Sequence, residues 1–453
     1  MAARAVALAL LSLRAAAAPL PALNATAYAA LREAVRTAYS PPLANSYGTV
    51  CLFCEQGHRV GGIVRLAFHD ATGAAGPNGR VGPNGCLDLT TPANANLDDI
   101  IAVLDAARAR SPYGALVSRA DFWVLAATYV IELTSTLADP SEPALFSAAA
   151  ANPMDPAAPP LLLPFVTGRI DQPTCAGDAA LLPEPSYTWA QIQGVFTSRM
   201  AMTASEVIAI MGAHSLGGIK SAVNGNVTGS WVQSSTSFSN NYFSVLLNGK
   251  LGWFGSRDVG GRLAPASVDN SSETDAFAMN VSVAGAAATG TIVMLRSDVE
   301  LGVNTTSVWA PADGPAQPNG CAAFGLGMAP AALTPGSELS PKQNASCPRR
   351  ERNLATIADF AASSRAWHGN FSTAWAKMVT LGYAPGELCA VGDTRAACGG
   401  AAPAGAAAGG SSKVAIAVGA SLGSVVVVGA AAIAVMRARA AAAADKEAIP
   451  LLG

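Results

Sequence analysis

The chain has 453 residues, 51% of them hydrophobic and 13% charged, enough to bury a large core. Its formal net charge of −2 excludes bulk attraction to nucleic acid or to an anionic lipid surface. The abundance of alanine and the 44 glycines are a compositional bias and carry little functional weight.

In chain order, residues 1–18 combine Arg4, an apolar run from Ala5 to Leu13 and Ala16-Ala17-Ala18, the pattern of a secretory signal peptide, with Arg14 as its one departure. The next informative stretch is Arg65-Leu66-Ala67-Phe68-His69-Asp70. Arg65 and His69 are four apart, so a helix here places them on one face, one turn apart. An imidazole beside a fixed cation can move a proton while the cation stabilises developing negative charge. A second stretch, Gly212-Ala213-His214-Ser215-Leu216-Gly217-Gly218, holds another of only four histidines. The remaining two, His58 and His368, have no such company and read as surface or packing residues.

Eight cysteines, an even number, suit an oxidising compartment. Cys389 with Cys398, and Cys321 with Cys347, are candidate local bridges, although spacing does not settle connectivity. Seven Asn-X-Ser/Thr sequons begin at Asn24, Asn226, Asn270, Asn280, Asn304, Asn344 and Asn370. Residues 399–412, rich in Gly, Ala and Ser, read as a flexible linker. Val414 to Met436 is an uncharged run of 23 residues, roughly 34 Å as a helix and long enough to cross a bilayer. Arg437 and Arg439 follow it, which predicts a cytoplasmic tail at 437–453 and a single-pass type I protein of the secretory pathway, its main domain extracellular or lumenal.

The two histidine segments are accompanied by Val117-Ser118-Arg119-Ala120-Asp121, Gly168-Arg169-Ile170-Asp171, Leu182-Pro183-Glu184-Pro185, Glu206 to Gly217, Phe238 to Phe243, Leu295-Arg296-Ser297-Asp298 and Lys377 to Gly382. Together, and in this order over roughly residues 48 to 385, they resemble the plant, fungal and bacterial haem peroxidase superfamily. The resemblance implies a mostly α, two-lobed fold over residues 19–398, with haem b held between distal and proximal helices. Two segments, 251–290 and about 302–350, are longer than the family leads one to expect. Both read as exposed loops or small hairpins.

The matching motifs imply roles residue by residue. Arg65 and His69 are the distal pair, and Phe68 is the aromatic that packs over the haem. Asn94 matches the asparagine that holds the distal imidazole in its neutral form, with Asn96 as competitor. His214 is the axial iron ligand, followed by Ser215, and Asp298 accepts its N–H. Trp231 matches the proximal tryptophan of the intracellular peroxidases. It either fills space under the haem with its N–H on Asp298, or stores one oxidising equivalent.

Departures from the family narrow the expectation. Asp70, Gly82 and Asn84 form at best one weak distal calcium site, since Asn84 and Cys86 stand where aspartate and serine are usual. On the proximal side Val232, Ser234 and Ser239 supply no carboxylate, so no calcium is expected there. Gly57, Gly61 and Gly217 stand where manganese enzymes carry acids, Ala209 where ligninolytic enzymes carry an exposed tryptophan, and Val223 where ascorbate enzymes carry an arginine. The expectation is therefore a peroxidase using hydrogen peroxide and a small aromatic, phenolic or protein electron donor. The competing reading is a catalytically silent surface glycoprotein that keeps the fold for adhesion or sensing. Retention of Arg65, His69, His214 and Asp298 weighs against it.

Overall fold

Amphipathic spacing accounts for most helices of the protein. In Ala25–Tyr39 (α1) the buried residues Ala27, Leu31, Val35 and Tyr39 recur every four positions and form one apolar stripe. In the computed structural model the described residues are 20–39, 55–73, 81–135, 161–175, 181–185, 187–219, 229–232, 235–248, 252–254, 276–282, 289–304, 349–395 and 398. They lie within one unit of the chain, Met1–Ala402.

Four helices form the first group: α1, Glu55–Thr72 (α2), Asp98–Arg110 (α3) and Arg119–Thr134 (α4). Ser118 caps α4 by accepting the Asp121 amide at 2.9 Å. The helix is buried almost all round, from Phe122 and Trp123 to Val130 and Ile131, and α2 packs along it. The second group comprises Trp189–Met200 (α5), Ala204–Met211 (α6), Asn241–Asn248 (α7), the single turn Arg296–Val299 (α8), Glu351–Ala362 (α9) and Ser364–Val379 (α10). A capping box starts α6: Thr203 accepts the Glu206 amide while Glu206 accepts that of Thr203. Glu206 also pairs with Lys377 of α10 at 2.7 Å. In this second group α6 packs on α10, and α7 on α9; α2 reaches across to α10. The protein is therefore mostly helical, with two helix groups meeting along α2, as expected.

Several motifs that carry the family resemblance prove to be structural. Arg169 and Asp121 form an ion pair at 2.7 Å with both side chains wholly buried, and Arg169 also donates to the Val379 carbonyl at the end of α10. Asp171 accepts the Arg119 and Ala120 amides at the start of α4. These contacts bind chain segments up to about 210 positions apart.

The strands are short. Val166–Thr167 (β1) pairs antiparallel with Cys389–Ala390 (β7). Gly218–Ile219 (β2), Gly229–Ser230 (β3), Gly252–Phe254 (β4), Ala276–Ser282 (β5) and Thr289–Leu295 (β6) make a sheet in the order β2-β3-β6-β5-β4. Within 251–290, read from the sequence as exposed loops or small hairpins, the described residues form β4, β5 and the start of β6. It is joined to the proximal chain by the parallel contact of β3 with β6. Of the second long segment, 305–348 lies outside the described residues.

Cys389 and Cys398 form the predicted disulfide, and Cys86 pairs with Cys175. This second bridge explains why a cysteine stands at 86. The pair Cys321 with Cys347 lies outside the described residues, as do residues 1–18, 399–412, the Val414 to Met436 run and residues 437–453. Among the described residues no helix is long and apolar enough to cross a membrane. Two sequon asparagines have local roles: Asn24 caps α1 by accepting the Ala27 amide, and Asn370 lies within α10 with its Nδ2 donating to the Ala366 carbonyl.

Candidate active site

On α2, Arg65 and His69 occupy one face as their spacing predicts. The Arg65 guanidinium donates to the carbonyls of Ala95 at 3.0 Å and Ala93 at 2.5 Å. Between those carbonyls lies Asn94, in the 3-10 turn Pro92–Asn94, with its Oδ1 2.8 Å from His69 Nδ1. Asn94 Nδ2 donates to the Asp88 carbonyl at 2.9 Å and to Thr91 Oγ1 at 3.2 Å. A carbonyl can only accept, so the amide orientation is fixed and Oδ1 must accept from His69. His69 therefore carries its proton on Nδ1 and presents the Nε2 lone pair. Asn96, the competitor, is exposed with φ of +62° and takes no part.

Burial pushes His69 down to about 3, helped by the nearby Arg65 cation and opposed by the Asn94 bond. Burial also lowers Arg65 to about 10. The imidazole is thus neutral and the guanidinium charged at ordinary pH. Phe68 packs beside them, its ring 5.7 Å from that of His69 and 6.3 Å from that of Phe196 on α5. Arg199, also of α5, donates to the Thr72 and Gly73 carbonyls and so holds the C-terminal end of α2.

The proximal side begins where α6 ends. Gly212 opens the 3-10 turn Gly212–Ser215, and a Cβ there would lie 2.8 Å from Phe243 Cζ and Trp367 Nε1. His214 follows, with Nδ1 2.8 Å from Asp298 Oδ1. Asp298 lies at the third position of α8, where its Oδ2 accepts the Leu295 amide at 2.7 Å. That bond fixes the carboxylate and turns Oδ1 toward the imidazole. Trp231 follows β3 and donates its amide to the Gly217 carbonyl at 3.3 Å. Its indole stacks on His214, centroids 4.5 Å apart at 16°.

Among the described residues the side-chain donors to Asp298 Oδ1 are His214 and the Tyr242 hydroxyl, on α7, which donates at 2.8 Å. Tyr242 was missed in the sequence because an aromatic in an apolar run carries no signal of its hydroxyl's partner.

The two faces meet at a seam of glycines. A Cβ on Gly61 would lie 2.7 Å from Gly217 Cα, and one on Gly217 would lie 3.3 Å from the Gly57 carbonyl oxygen. Gly61 is two turns before His69 on α2, about 12 Å along the axis, and Gly217 is three residues past His214. Both imidazoles keep accessible surface although most side chains flanking them, including Leu66, Ala67, Ser215 and Asp298, are buried. With Nδ1 of His214 engaged, its Nε2 is the atom free to bind a metal. These residues fit a haem held by His214 beneath Arg65, Phe68 and His69.

The distal calcium candidates are placed differently. Asp70 accepts the backbone amides of Asn84, Gly85 and Cys86, and Asn84 Oδ1 accepts the Cys86 amide. Gly82, with φ of +96°, is pressed against the Leu381 carbonyl. Asp70 and Asn84 thus take part in a clasp of backbone amides, with Gly82 two residues before Asn84. Ala209 is buried in α6, where its carbonyl accepts the Trp367 indole N–H. Val223 and Ser234 lie outside the described residues.

The sequence is similar to L-ascorbate peroxidase 5, peroxisomal, of Arabidopsis thaliana, at 28% identity over 192 residues covering 42% of this chain and 58% of that protein. L-ascorbate peroxidase 1, cytosolic, of Oryza sativa subsp. indica is 27% identical over 191 residues, 41% of this chain and 65% of that one. A protein of Pyricularia oryzae named "Putative heme-binding peroxidase" is 30% identical over 197 residues, 41% of this chain and 55% of its own. The chain thus spans less than two thirds of the length of these relatives. The family profile described as peroxidase matches residues 50–310, more than half of the chain and the segment that carries Arg65, His69, Asn94, His214 and Asp298, and the protein belongs to the peroxidase family.

Proposed function

We propose that this protein is a haem peroxidase that reduces hydrogen peroxide at the expense of a one-electron donor. The observation that carries the reading is the His69–Asn94 bond at 2.8 Å with its fixed direction. It leaves a neutral Nε2 in the pocket beside a charged Arg65. Haem held by His214 would supply the two-electron reduction of peroxide, balanced by two single electrons from donor molecules. The residues of the chain handle the protons and the charge. With haem bound, His69 Nε2 would take a proton from one oxygen of hydrogen peroxide and return it to the other, which would leave as water. Arg65 stabilises the negative charge on that oxygen as the O–O bond stretches. Asp298 holds the Nδ1 proton of His214, which strengthens the axial ligand. Phe68 and Phe196 keep one side of the pocket apolar.

The donor in this reading is a small aromatic or phenolic molecule, or a protein acting through Trp231. The indole, stacked on His214, stores one oxidising equivalent and relays electrons. Haem b is the cofactor. The catalytic domain, residues 19–398, stands on the extracellular or lumenal side of a membrane, anchored through Val414 to Met436. Supporting this placement are the apolar N-terminal run, the disulfides and the arginines after the apolar segment.

The test is the purified full chain in detergent. A Soret band and peroxide-dependent oxidation of a phenolic dye are expected, and a folded, colourless protein would overturn the assignment. Low-temperature electron paramagnetic resonance after peroxide treatment should show an indole radical that is lost in Trp231→Phe. For topology, glycans on the sequons and protease protection of the tail in sealed vesicles are expected; an accessible tail in untreated vesicles would remove the anchor.

A further inference from the structure

Asp298 is wholly buried, and its two oxygens are used unequally. Oδ2 accepts one backbone amide, that of Leu295. Oδ1 accepts two donors at the same distance of 2.8 Å, His214 Nδ1 and the Tyr242 hydroxyl. A carboxylate can only accept, so the phenol is the donor in that bond. Tyr242 is itself fully buried, and Asp298 is its hydroxyl's one hydrogen-bond partner among the described residues. Its ring stands edge-on to His214, 6.2 Å between centroids at 74°, and packs against Phe243 at 5.1 Å.

We propose that Tyr242 is a positioning residue that sets how strongly Asp298 draws on the Nδ1 proton of His214. Charge-assisted hydrogen bonds to one carboxylate oxygen compete for the same electron density. A phenol on Oδ1 therefore lowers its pull on the imidazole N–H, and removing the hydroxyl leaves His214 as the one side-chain donor to that oxygen. The imidazole then gains anionic character and becomes a stronger axial ligand, which favours the oxidised metal. Three duties on the proximal side are thereby divided: Trp231 fixes the plane of the His214 ring, Asp298 holds its proton, and Tyr242 adjusts the strength of that hold. The assignment rests on His214 being the axial ligand of a haem.

The experiment compares the haem-loaded full chain with Tyr242→Phe, which keeps the ring, and with 3-fluorotyrosine at position 242, which is a stronger donor. Resonance Raman of the ferrous protein and redox titration are read on each. In Tyr242→Phe the iron–histidine stretching band should move to higher frequency and the midpoint potential should fall. In the fluorinated protein both should move the opposite way. A packing role alone lowers the melting temperature of Tyr242→Phe and moves neither spectrum nor potential, and that result, or shifts of the same sign in both variants, would overturn the proposal. If Tyr242→Phe fails to take up haem, the fluorinated protein decides by the same criterion. Absence of a Soret band from the parent protein would instead overturn the haem reading beneath it.

Discussion

Asn94 holds two acceptors with its Nδ2 and so determines which nitrogen of His69 carries a proton. The chemistry that follows is measurable. Replacing His69 by Leu removes the proton carrier while leaving His214 in place; peroxide consumption should fall by at least ~10²–10⁴-fold with the Soret band retained. A variant reacting at the parent rate would show that the base lies elsewhere. The lowered affinity of His69 for protons also has consequences for pH. A free imidazole is half protonated near pH 6.5, whereas His69 stays neutral down to about 3 and His368, packed against Phe238 and Trp367, down to about 4. Peroxide consumption should therefore show no loss of the base between pH 7 and pH 5. Stability behaves differently. Between pH 6.5 and about 4 the unfolded chain binds protons at both histidines that the folded chain does not, so stability falls as pH falls through that window. His368→Gln should flatten the dependence of melting temperature on pH there; an unchanged slope would mean that His368 titrates in the folded protein as it does in the unfolded one.

At the scale of elements, glycine acts in two opposite ways. Gly61 in α2 touches Gly217 Cα, and a Cβ at 2.7 Å has no flexible side chain to push aside. Gly61→Ala should cost about 1–3 kcal/mol by forcing the two backbones apart, and it should weaken haem uptake, since the seam sets the separation of the two faces. Gly194 in α5 has open space where its Cβ would be, so Gly194→Ala should stabilise by ~0.5–1 kcal/mol. Thermal unfolding of both variants checks the signs. The same contrast shows what the sequence could reveal. The i, i+4 pair of Arg65 and His69 was readable because helical spacing is local, and Asn94 and Asp298 because their motifs accompany the two histidines in order. Contacts such as Gly61 with Gly217 and Tyr242 with Asp298 join residues 156 and 56 positions apart, and no local pattern specifies them. Nor does spacing disclose that backbone amides of Asn84 and Gly85 bond the Asp70 carboxylate.

At the scale of the molecule, the chain closes on itself through covalent and buried polar links. The Cys86–Cys175 bridge has a sequence separation of 89 and Cys389–Cys398 one of 9. On the loop-entropy argument the longer closure is worth ~4–5 kcal/mol and the shorter ~2–3 kcal/mol, so Cys175→Ser with Cys86→Ser should lower the denaturation midpoint more than the corresponding change at 389 and 398. Equal losses would indicate that the longer loop is held together without its bridge, for instance by Asp171 on the α4 amides. A final consequence attaches to the short turn around Asn94. Its backbone anchors Arg65 through Ala93 and Ala95 while its side chain anchors His69. Base and cation therefore hang from a single peg, and a displacement of this turn would unseat both at once.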